Sequence, residues 1–260
     1  MWLNDFAPRP AHLRWLLDSD PSIRWQVMRD LTDASHDAIA AERSRVATHG
    51  WGAKLLARQS PSGTWGGRKE NAGLLITFYS LVVPMDLGLD PASKQARKMV
   101  DRVDKHLIFK WHSNRRFFDG ETEPCINGRI LALGAYFREP NDALANQLLK
   151  EQLEDGGWNC EAPKSRRSSF HTTICVLEGL LAYERAGRKS RAVTEARSGP
   201  KNICSNATCS ARFGPAKSSR KDGYASPSRR SGTTMFCADS TISAVPGPNR
   251  TAASVRRLRS

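Results

Sequence analysis

Three side chains are of the types that bind zinc: Cys125, Cys160 and His171. Thiolate sulfur and imidazole nitrogen are preferred zinc ligands, but these residues lack the short ligand spacing typical of structural zinc sites. A structural role explains them equally well, with Cys160 packing as a small apolar side chain and His171 capping a helix through hydrogen bonds. We therefore predict no cofactor, and keep zinc bound by Cys125, Cys160 and His171 as the alternative.

Two other polar segments contain residue types that could act in catalysis. Residues 168–173 (Ser-Ser-Phe-His-Thr-Thr) place hydroxyl groups beside an imidazole. Neighbouring side chains at a helix start point in different directions, and no third group is identifiable that would orient the base. Asp18-Ser19-Asp20-Pro21 combines a good N-cap with an apt first helical residue. Both segments therefore indicate helix caps, with Ser168 or Ser169 as the cap of the first.

Aromatic residues within the apolar segments are candidates for lining a cavity. Tyr79, Tyr136 and Phe170 are the representatives that we single out, together with the two cysteines and the histidine named above. Aromatic side chains at helical spacing are more often simply part of the core. The sequence leaves both roles open.

One phrase, Gln-x-x-x-Gly-x-Trp, occurs twice in the chain. The first copy is Gln59, Gly63 and Trp65, and the second, 93 residues later, is Gln152, Gly156 and Trp158. We expect Gln to bond the last free carbonyls of its helix, Gly to reverse the chain with a positive φ, and Trp to pack back over the joint. The spacing suggests two units of roughly 46 residues each, a length typical of helix-pair repeats.

The phrase resembles the QW repeat of the terpenoid cyclase and protein prenyltransferase superfamily. Residues 156–161 and 168–173, and Glu123-Pro124-Cys125 before an apolar helix, extend the resemblance. Residues 1 to about 197 look most similar to uncharacterised bacterial squalene-cyclase-like repeat proteins. This resemblance implies an α/α toroid, with inner and outer rings of helices around a central cavity.

The resemblance also implies which functional motifs to look for. Prenyltransferases of the superfamily hold zinc with Asp, Cys and His near the cavity mouth, and triterpene cyclases protonate an isoprenoid with an Asp-x-Asp-Asp motif. The chain contains neither that motif nor the Asp-x-Cys ligand pair. We therefore expect a hydrophobic, isoprenoid-like ligand in an apolar cavity, without demonstrable catalysis. The alternatives are zinc-dependent prenyl transfer or isoprenoid cyclisation in an intact relative, and a HEAT-like scaffold that binds proteins.

The predicted fold class is all-α, an incomplete α/α toroid followed by a disordered tail. Residues 1–50 form an N-terminal helical segment, 51–197 the helix-pair repeats, and 198–260 the tail. Ala72 to Leu87 is apolar nearly all round, which predicts a buried helix that Pro84 kinks or ends. Residues 110–121 should hold a further joint, but no repeat phrase is recognisable there, and no segment before the tail has a strand pattern.

The charge is concentrated in the tail. The whole chain has a net charge of +14, yet residues 198–260 hold 11 Lys and Arg against 2 Asp and Glu. We therefore predict no specific nucleic-acid partner. The rest of the chain has no secretory signal and no apolar run near the roughly 18 residues that span a bilayer. A cytoplasmic protein with reduced thiols is expected, and peripheral membrane contact stays open.

The tail itself predicts a shift of reading frame. Read one base out of frame, residues 200–211 and 231–244 permit apolar patterns of helical period, which the printed residues lack. The alternative is a native, basic, disordered extension. A shift after about residue 198 would mean that one or more repeats are missing and that the tail cysteines have no function.

Overall fold

The structure is a computed structural model that describes residues 8–66, 70–110, 112–137 and 140–199, without the side chains of 70–73. Within these ranges the fold is all-α, as predicted. The predicted frameshift and the tail beyond Gly199 lie outside the described residues.

Ten α-helices are present in the described part of the chain. They are α1 (Pro10–Leu17), α2 (Pro21–Leu31), α3 (His36–Ser44), α4 (Gly50–Ala57), α5 (Glu70–Asp86), α6 (Lys94–His106), α7 (Pro124–Phe137), α8 (Asp142–Lys150), α9 (Phe170–Arg185) and α10 (Arg191–Ser198). Short 3₁₀ turns occupy Arg45–Ala47 and Phe117–Asp119. None of the described helices is long and apolar enough to cross a membrane.

The expectation that no strand precedes the tail was wrong at one place. Strands β1 (Ile108–Phe109) and β2 (Arg115–Arg116) pair antiparallel, with Ile108 opposite Arg116. Ser113 and Asn114 in the connecting turn both have positive φ, 52° and 54°. Strands of two residues are too short to produce an alternating pattern, so they could not be predicted from periodicity.

The N-terminal helices are anchored to the segment after α5 by side-chain hydrogen bonds. Asp20 caps α2 through Ser22 N at 3.0 Å, and Pro21 is the first residue of the helix, as predicted. The Trp25 indole donates to the carbonyl of Leu87, just past the end of α5, at 2.9 Å. Arg43 on α3 donates to the carbonyl of Gly88 at 2.8 Å. These contacts hold α2 and α3 against the C-terminal end of α5.

Helices α5 to α10 alternate between two layers. The apolar layer comprises α5, α7 and α9, with α7 packed between the other two, and the amphipathic layer comprises α6, α8 and α10, whereas α4 packs against α2 and α5. Helix α6 shows why its layer is outside, because its buried residues fall on one stripe: Ala96, Met99, Val100 and Val103. The core lies between the layers and includes Leu81, Leu131, Leu144, Leu148 and Leu180.

Helices α7 and α9 approach each other closely because glycine faces backbone. A Cβ on Gly179 would lie 2.1 Å from the carbonyl oxygen of Gly128, and one on Gly128 would lie 2.4 Å from that of Cys175. Such distances exclude any larger residue without movement of a helix. The contact fixes α9 against α7 and sets the separation of the groups at their N-terminal ends.

The prediction that α5 is buried on all sides was wrong. Phe78 and Leu81 are buried, but Leu75, Ile76, Tyr79 and Val83 are exposed along one face. Periodicity could not reveal this face, because a helix that is apolar all round gives no direction of burial. The helix ends at Asp86, within one turn of Pro84, as predicted.

The two repeat phrases form nearly identical joints. Gly63 and Gly156 have φ of 82° and 86°, as predicted. The Trp65 indole donates to Leu55 O at 2.8 Å and the Trp158 indole to Leu148 O at 2.7 Å, so each Trp packs back on its helix. These contacts confirm the roles expected of Gly and Trp.

The prediction that the two glutamines bond the last carbonyls of their own helices was wrong. The Gln59 amide donates to Gly63 O at 3.2 Å and to Met99 O on α6 at 3.1 Å. Gln152 likewise reaches Gly156 O at 2.7 Å and Ala196 O on α10 at 2.9 Å. Each amide therefore links its joint to the next helix of the amphipathic layer, instead of finishing its own helix.

The hairpin occupies the place of the missing middle joint. Arg115 donates to Asp119 O and, at 3.3 Å, to the Gln147 side chain on α8. Phe117 is fully buried and packs on Phe109 and Phe118. An Arg and a Phe thus perform the bridging and packing that Gln and Trp perform elsewhere, which explains why no phrase is recognisable in the sequence.

Candidate ligand and metal cleft

Two adjoining depressions form one cleft where α5 faces the start of α7. Their volumes are about 310 and 630 Å³, and both are lined by Leu75, Phe78, Glu123 and Ile126. The larger one extends to the loop after Trp158 and the first turn of α9. The cleft lies at the N-terminal ends of α7 and α9. Each of these ends follows a joint that connects the amphipathic layer to the apolar layer.

One wall of the cleft is apolar and open to solvent. Leu75 is 51% exposed and Tyr79 is 57% exposed, although both are large apolar residues of a long helix. Phe78 is buried beneath them and packs edge-on against Tyr79 with 5.2 Å between ring centroids. A contiguous exposed apolar surface of this kind is typical of a binding site or an interface.

The opposite side carries a thiol–carboxylate cluster formed by Glu123, Cys125 and Cys160. One carboxylate oxygen and the two sulfurs lie within 4.8 Å of one another. Cys125 donates to Glu123 Oε2 at 3.6 Å, and Cys160 Sγ lies 3.4 Å from Thr172 Oγ1. Both cysteines are half-buried. Two sulfurs and a carboxylate are ligands that zinc accepts.

A buried polar pair, Glu121 and Asn127, positions Glu123 and Cys125 at the start of α7. Glu121 N donates to Asn127 Oδ1 at 2.7 Å, and Asn127 Nδ2 returns a bond to Glu121 O at 2.8 Å. The Glu121 carboxylate accepts from Glu123 N at 2.9 Å. Neither Glu121 nor Asn127 was predicted to be a functional residue, because nothing in the residue types indicates that these two positions form hydrogen bonds with each other.

The second joint positions Cys160. Trp158 N donates to Thr173 Oγ1 on α9 at 3.0 Å, and Ser169 N donates to Trp158 O at 2.8 Å. Ser169 is the N-cap of α9, as predicted, since its hydroxyl accepts from Thr172 N. The loop that bears Cys160 is therefore fastened to the first turn of α9, beside the start of α7.

Electrostatics keep a proton on Cys125 when no cation is near. Burial is the largest cause that raises the pKa of the Cys125 thiol, followed by its hydrogen bond to Cys160 and the nearby charge of Glu123. Burial also raises the pKa of Cys175 on α9, which Arg129 partly offsets. A metal ion at the cluster would have to displace the Cys125 proton, so its affinity would rise with pH.

His171 is not part of the thiol–carboxylate cluster. Its Nε2 lies 3.8 Å from Sγ of Cys175, and the residue lines the larger depression. The structure thus brings together two of the three predicted zinc ligands, Cys125 and Cys160, and adds Glu123. Glu123 was not among the predicted ligands, although it lies two residues before Cys125 at the start of α7.

Tyr136 and Phe170 lie apart from the residues that line the cleft. The Tyr136 hydroxyl donates to Leu89 O at 2.8 Å and accepts from Arg43 at 3.1 Å, so it ties α7 to α3 and to the loop after α5. Phe170 is the first residue of α9 and is 49% exposed. Of the three aromatic candidates, Tyr79 alone lines the cleft.

A charged group lies one turn further along α7. Arg129 forms a 3.8 Å ion pair with Glu178 on α9. Burial raises the pKa of Asp86 at the end of α5, and Arg129 partly opposes the effect. The proximity of these three residues could not be predicted from the sequence, since only the side-by-side packing of the apolar layer brings them together.

Comparison with known proteins gives no further assignment: no family model, no curated protein and no solved structure matches the chain.

Proposed function

We propose that the chain binds a hydrophobic, isoprenoid-like ligand in the cleft between α5 and α7. The observation that carries this proposal is the exposure of Leu75 and Tyr79 beside a depression of about 630 Å³. Small-molecule sites are concave and largely apolar, with a few polar groups that fix orientation. Here those polar groups are Glu123, Cys125 and Cys160.

Burial of the apolar wall by a ligand would contribute a modest binding free energy. Covering about 200 Å² of apolar surface at about 25 cal/mol/Å² contributes about 5 kcal/mol. Lost translational and rotational freedom offsets part of this. We therefore expect a Kd of roughly 0.2 mM or weaker for a simple apolar chain.

We also propose an overall architecture for the helices around the cleft. Alternating apolar and amphipathic helices, linked by joints that each reach the next amphipathic helix, are what an arc of an α/α toroid requires. In that arrangement the exposed face of α5 would look into the central cavity. The toroid is therefore the fold that we propose for the intact repeat array.

A ligand-retention experiment tests the proposal. The purified full chain is extracted with organic solvent and analysed by mass spectrometry, and the delipidated protein is titrated with farnesol while tryptophan fluorescence is followed. We expect a retained lipid or saturable farnesol binding. If neither is found, the proposal fails, and a protein-binding scaffold becomes the better account.

A zinc centre with prenyl-transfer or related chemistry is the second candidate, favoured by the thiol–carboxylate cluster. Three protein ligands with an open fourth position are typical of catalytic zinc. Glu123, Cys125 and Cys160 would be the three ligands, and the metal would act as a Lewis acid or activate a bound thiol or water. The adjacent apolar wall would hold the substrate.

Cobalt titration tests the zinc candidate without an activity assay. Cobalt bound through thiolates absorbs strongly in the near ultraviolet, and we expect one equivalent to bind and zinc to displace it. Cys125→Ser and Cys160→Ser should abolish the band, whereas Cys175→Ser, the matched control, and His171→Ala should retain it. A band that survives loss of Cys125 and Cys160 together would rule out this cluster as the site.

A further inference from the structure

Two of the cysteines in the described residues come from distant segments and meet at the rim of the cleft. Cys125 lies in the first turn of α7 and Cys160 in the loop after Trp158. Their sulfurs lie within 4.8 Å, and both residues are half-buried, so that solvent reaches the pair. Cys175, the third, is 1% exposed and lies deeper on α9.

We propose that Cys125 and Cys160 form an oxidisable dithiol, which hydrogen peroxide or a related two-electron oxidant converts to a disulfide across the rim. The Cys160 sulfur attacks peroxide, which yields a sulfenic acid and releases water. The Cys125 sulfur then attacks the sulfenic sulfur, which forms the S–S bond, and the Cys125 proton leaves with the departing hydroxide as a second water. Two thiols are oxidised and one peroxide is reduced.

Closure of the disulfide requires the two sulfurs to move towards each other. A disulfide needs the sulfurs about 2.05 Å apart, which is closer than they stand in the reduced state. Cys160 lies in a turn, where rotation about its side chain or a small shift of the loop can supply the approach. The anchors on either side, Asn127 and Trp158, keep both segments in place, so neither has to unfold.

Oxidation would change the cleft in two ways. The disulfide removes both sulfurs from the thiol–carboxylate cluster, so metal binding and oxidation exclude each other. It also ties the start of α7 to the loop of the second joint, which should raise thermal stability because the unfolded chain is constrained. The inference does not depend on the proposed ligand, since the test requires none.

Peptide mapping of the full chain tests the dithiol directly. Protein treated with a chelator is exposed to hydrogen peroxide, alkylated and digested with trypsin without reduction. Cys125, Cys160 and Cys175 fall on separate peptides, 117–129, 151–164 and 168–185. We expect 117–129 linked to 151–164, a link that dithiothreitol removes, with 168–185 alkylated.

Matched variants complete the test. Cys125→Ser and Cys160→Ser should each abolish the link and the rise in melting temperature, whereas Cys175→Ser should leave both unchanged. The proposal is overturned if 117–129 and 151–164 stay alkylated in the wild-type chain. It is equally overturned if either peptide pairs instead with a peptide of residues 200–260. The wild-type map decides the matter even if a variant fails to fold.

Discussion

The indole nitrogen of Trp158 lies 2.7 Å from the carbonyl oxygen of Leu148, ten residues earlier in the chain. Trp65 makes the same bond with Leu55, also ten residues earlier. In each joint the tryptophan is buried, and its indole donates a hydrogen bond to a carbonyl in the last turns of the preceding helix. The joint is therefore a repeated structural unit, and its stability can be tested residue by residue.

Replacing Trp158 with Phe should destabilise the protein by about 1–3 kcal/mol. The change leaves a buried carbonyl without its donor and creates a small cavity. Urea denaturation measures the effect. Trp51→Phe is the matched control, because Trp51 is 55% exposed, and its effect should stay within about 0.5 kcal/mol. Equal effects of the two changes would contradict the proposed role of the joint.

Gly156→Ala should cost more than Gly187→Ala, although both positions have nearly the same positive φ, 86° and 89°. At Gly187 the new Cβ meets nothing within 4 Å, so that substitution measures backbone strain alone, about 1 kcal/mol. At Gly156 the new Cβ would lie 2.8 Å from the backbone carbon of Gly199. We expect about 1–2 kcal/mol of additional loss there. Thermal melts of both variants provide the comparison, and indistinguishable melting temperatures would mean that α10 is not packed on the joint.

Asp20→Ala should destabilise the protein by about 1–2 kcal/mol at neutral pH, because Asp20 caps both α2 and α4 through Ser22 N and Trp51 N. Burial acts to raise the pKa of Asp20, but the hydrogen bonds from Ser22 and Trp51 and the charge of Arg24 lower it below the ordinary 3.8. Its contribution is therefore complete above pH 3.8 and is lost as the pH falls through the lower folded-state pKa.

Denaturation curves between pH 7 and pH 3 check this dependence. The difference between the wild type and Asp20→Ala should shrink below pH 3.8. The exposed loop residue Asp33 supplies the control, and Asp33→Ala should cost little at any pH. A difference for Asp20→Ala that is the same at every pH would show that the charge of Asp20 has no part in capping.

The sequence predicted the joints because each depends on a residue with a distinctive local role. Glycine at positive φ, a Trp that covers a helix end, and Asp or Ser at a helix start are chemical requirements of short segments. The middle joint could not be predicted, since Arg115 and Phe117 satisfy the same requirements with different residue types. The partners of Gln59 on α6 and of Gln152 on α10 could not be predicted either, because they lie 40 and 44 residues along the chain.

The candidate site was predicted in part for the same reason. Cys125 and Cys160 could be chosen by residue type, and their meeting required only that two helix starts lie side by side. The exclusion of His171 depends on rotation of the first turn of α9, which residue type does not encode. The open face of α5 depends on what packs against it, so a uniformly apolar segment gave the wrong expectation.

Sequencing the coding DNA from codon 190 to the stop tests the proposed frameshift, together with the intact mass of the expressed protein. We predict one base more or fewer than the printed residues require. Confirmation of the printed residues by both measurements would mean that the tail is genuine.

The most direct test of the proposed ligand cleft is farnesol binding by variants of its apolar wall. Leu75→Ser and Tyr79→Ser remove exposed apolar surface inside the cleft, so each should keep the melting temperature and weaken binding about tenfold, which corresponds to about 1.4 kcal/mol. Leu31→Ser, at a similarly exposed apolar residue on α2, is the control and should bind as the wild type does. Affinity that is unchanged in Leu75→Ser and Tyr79→Ser, or lowered equally in Leu31→Ser, would contradict the proposal that this cleft is the binding site.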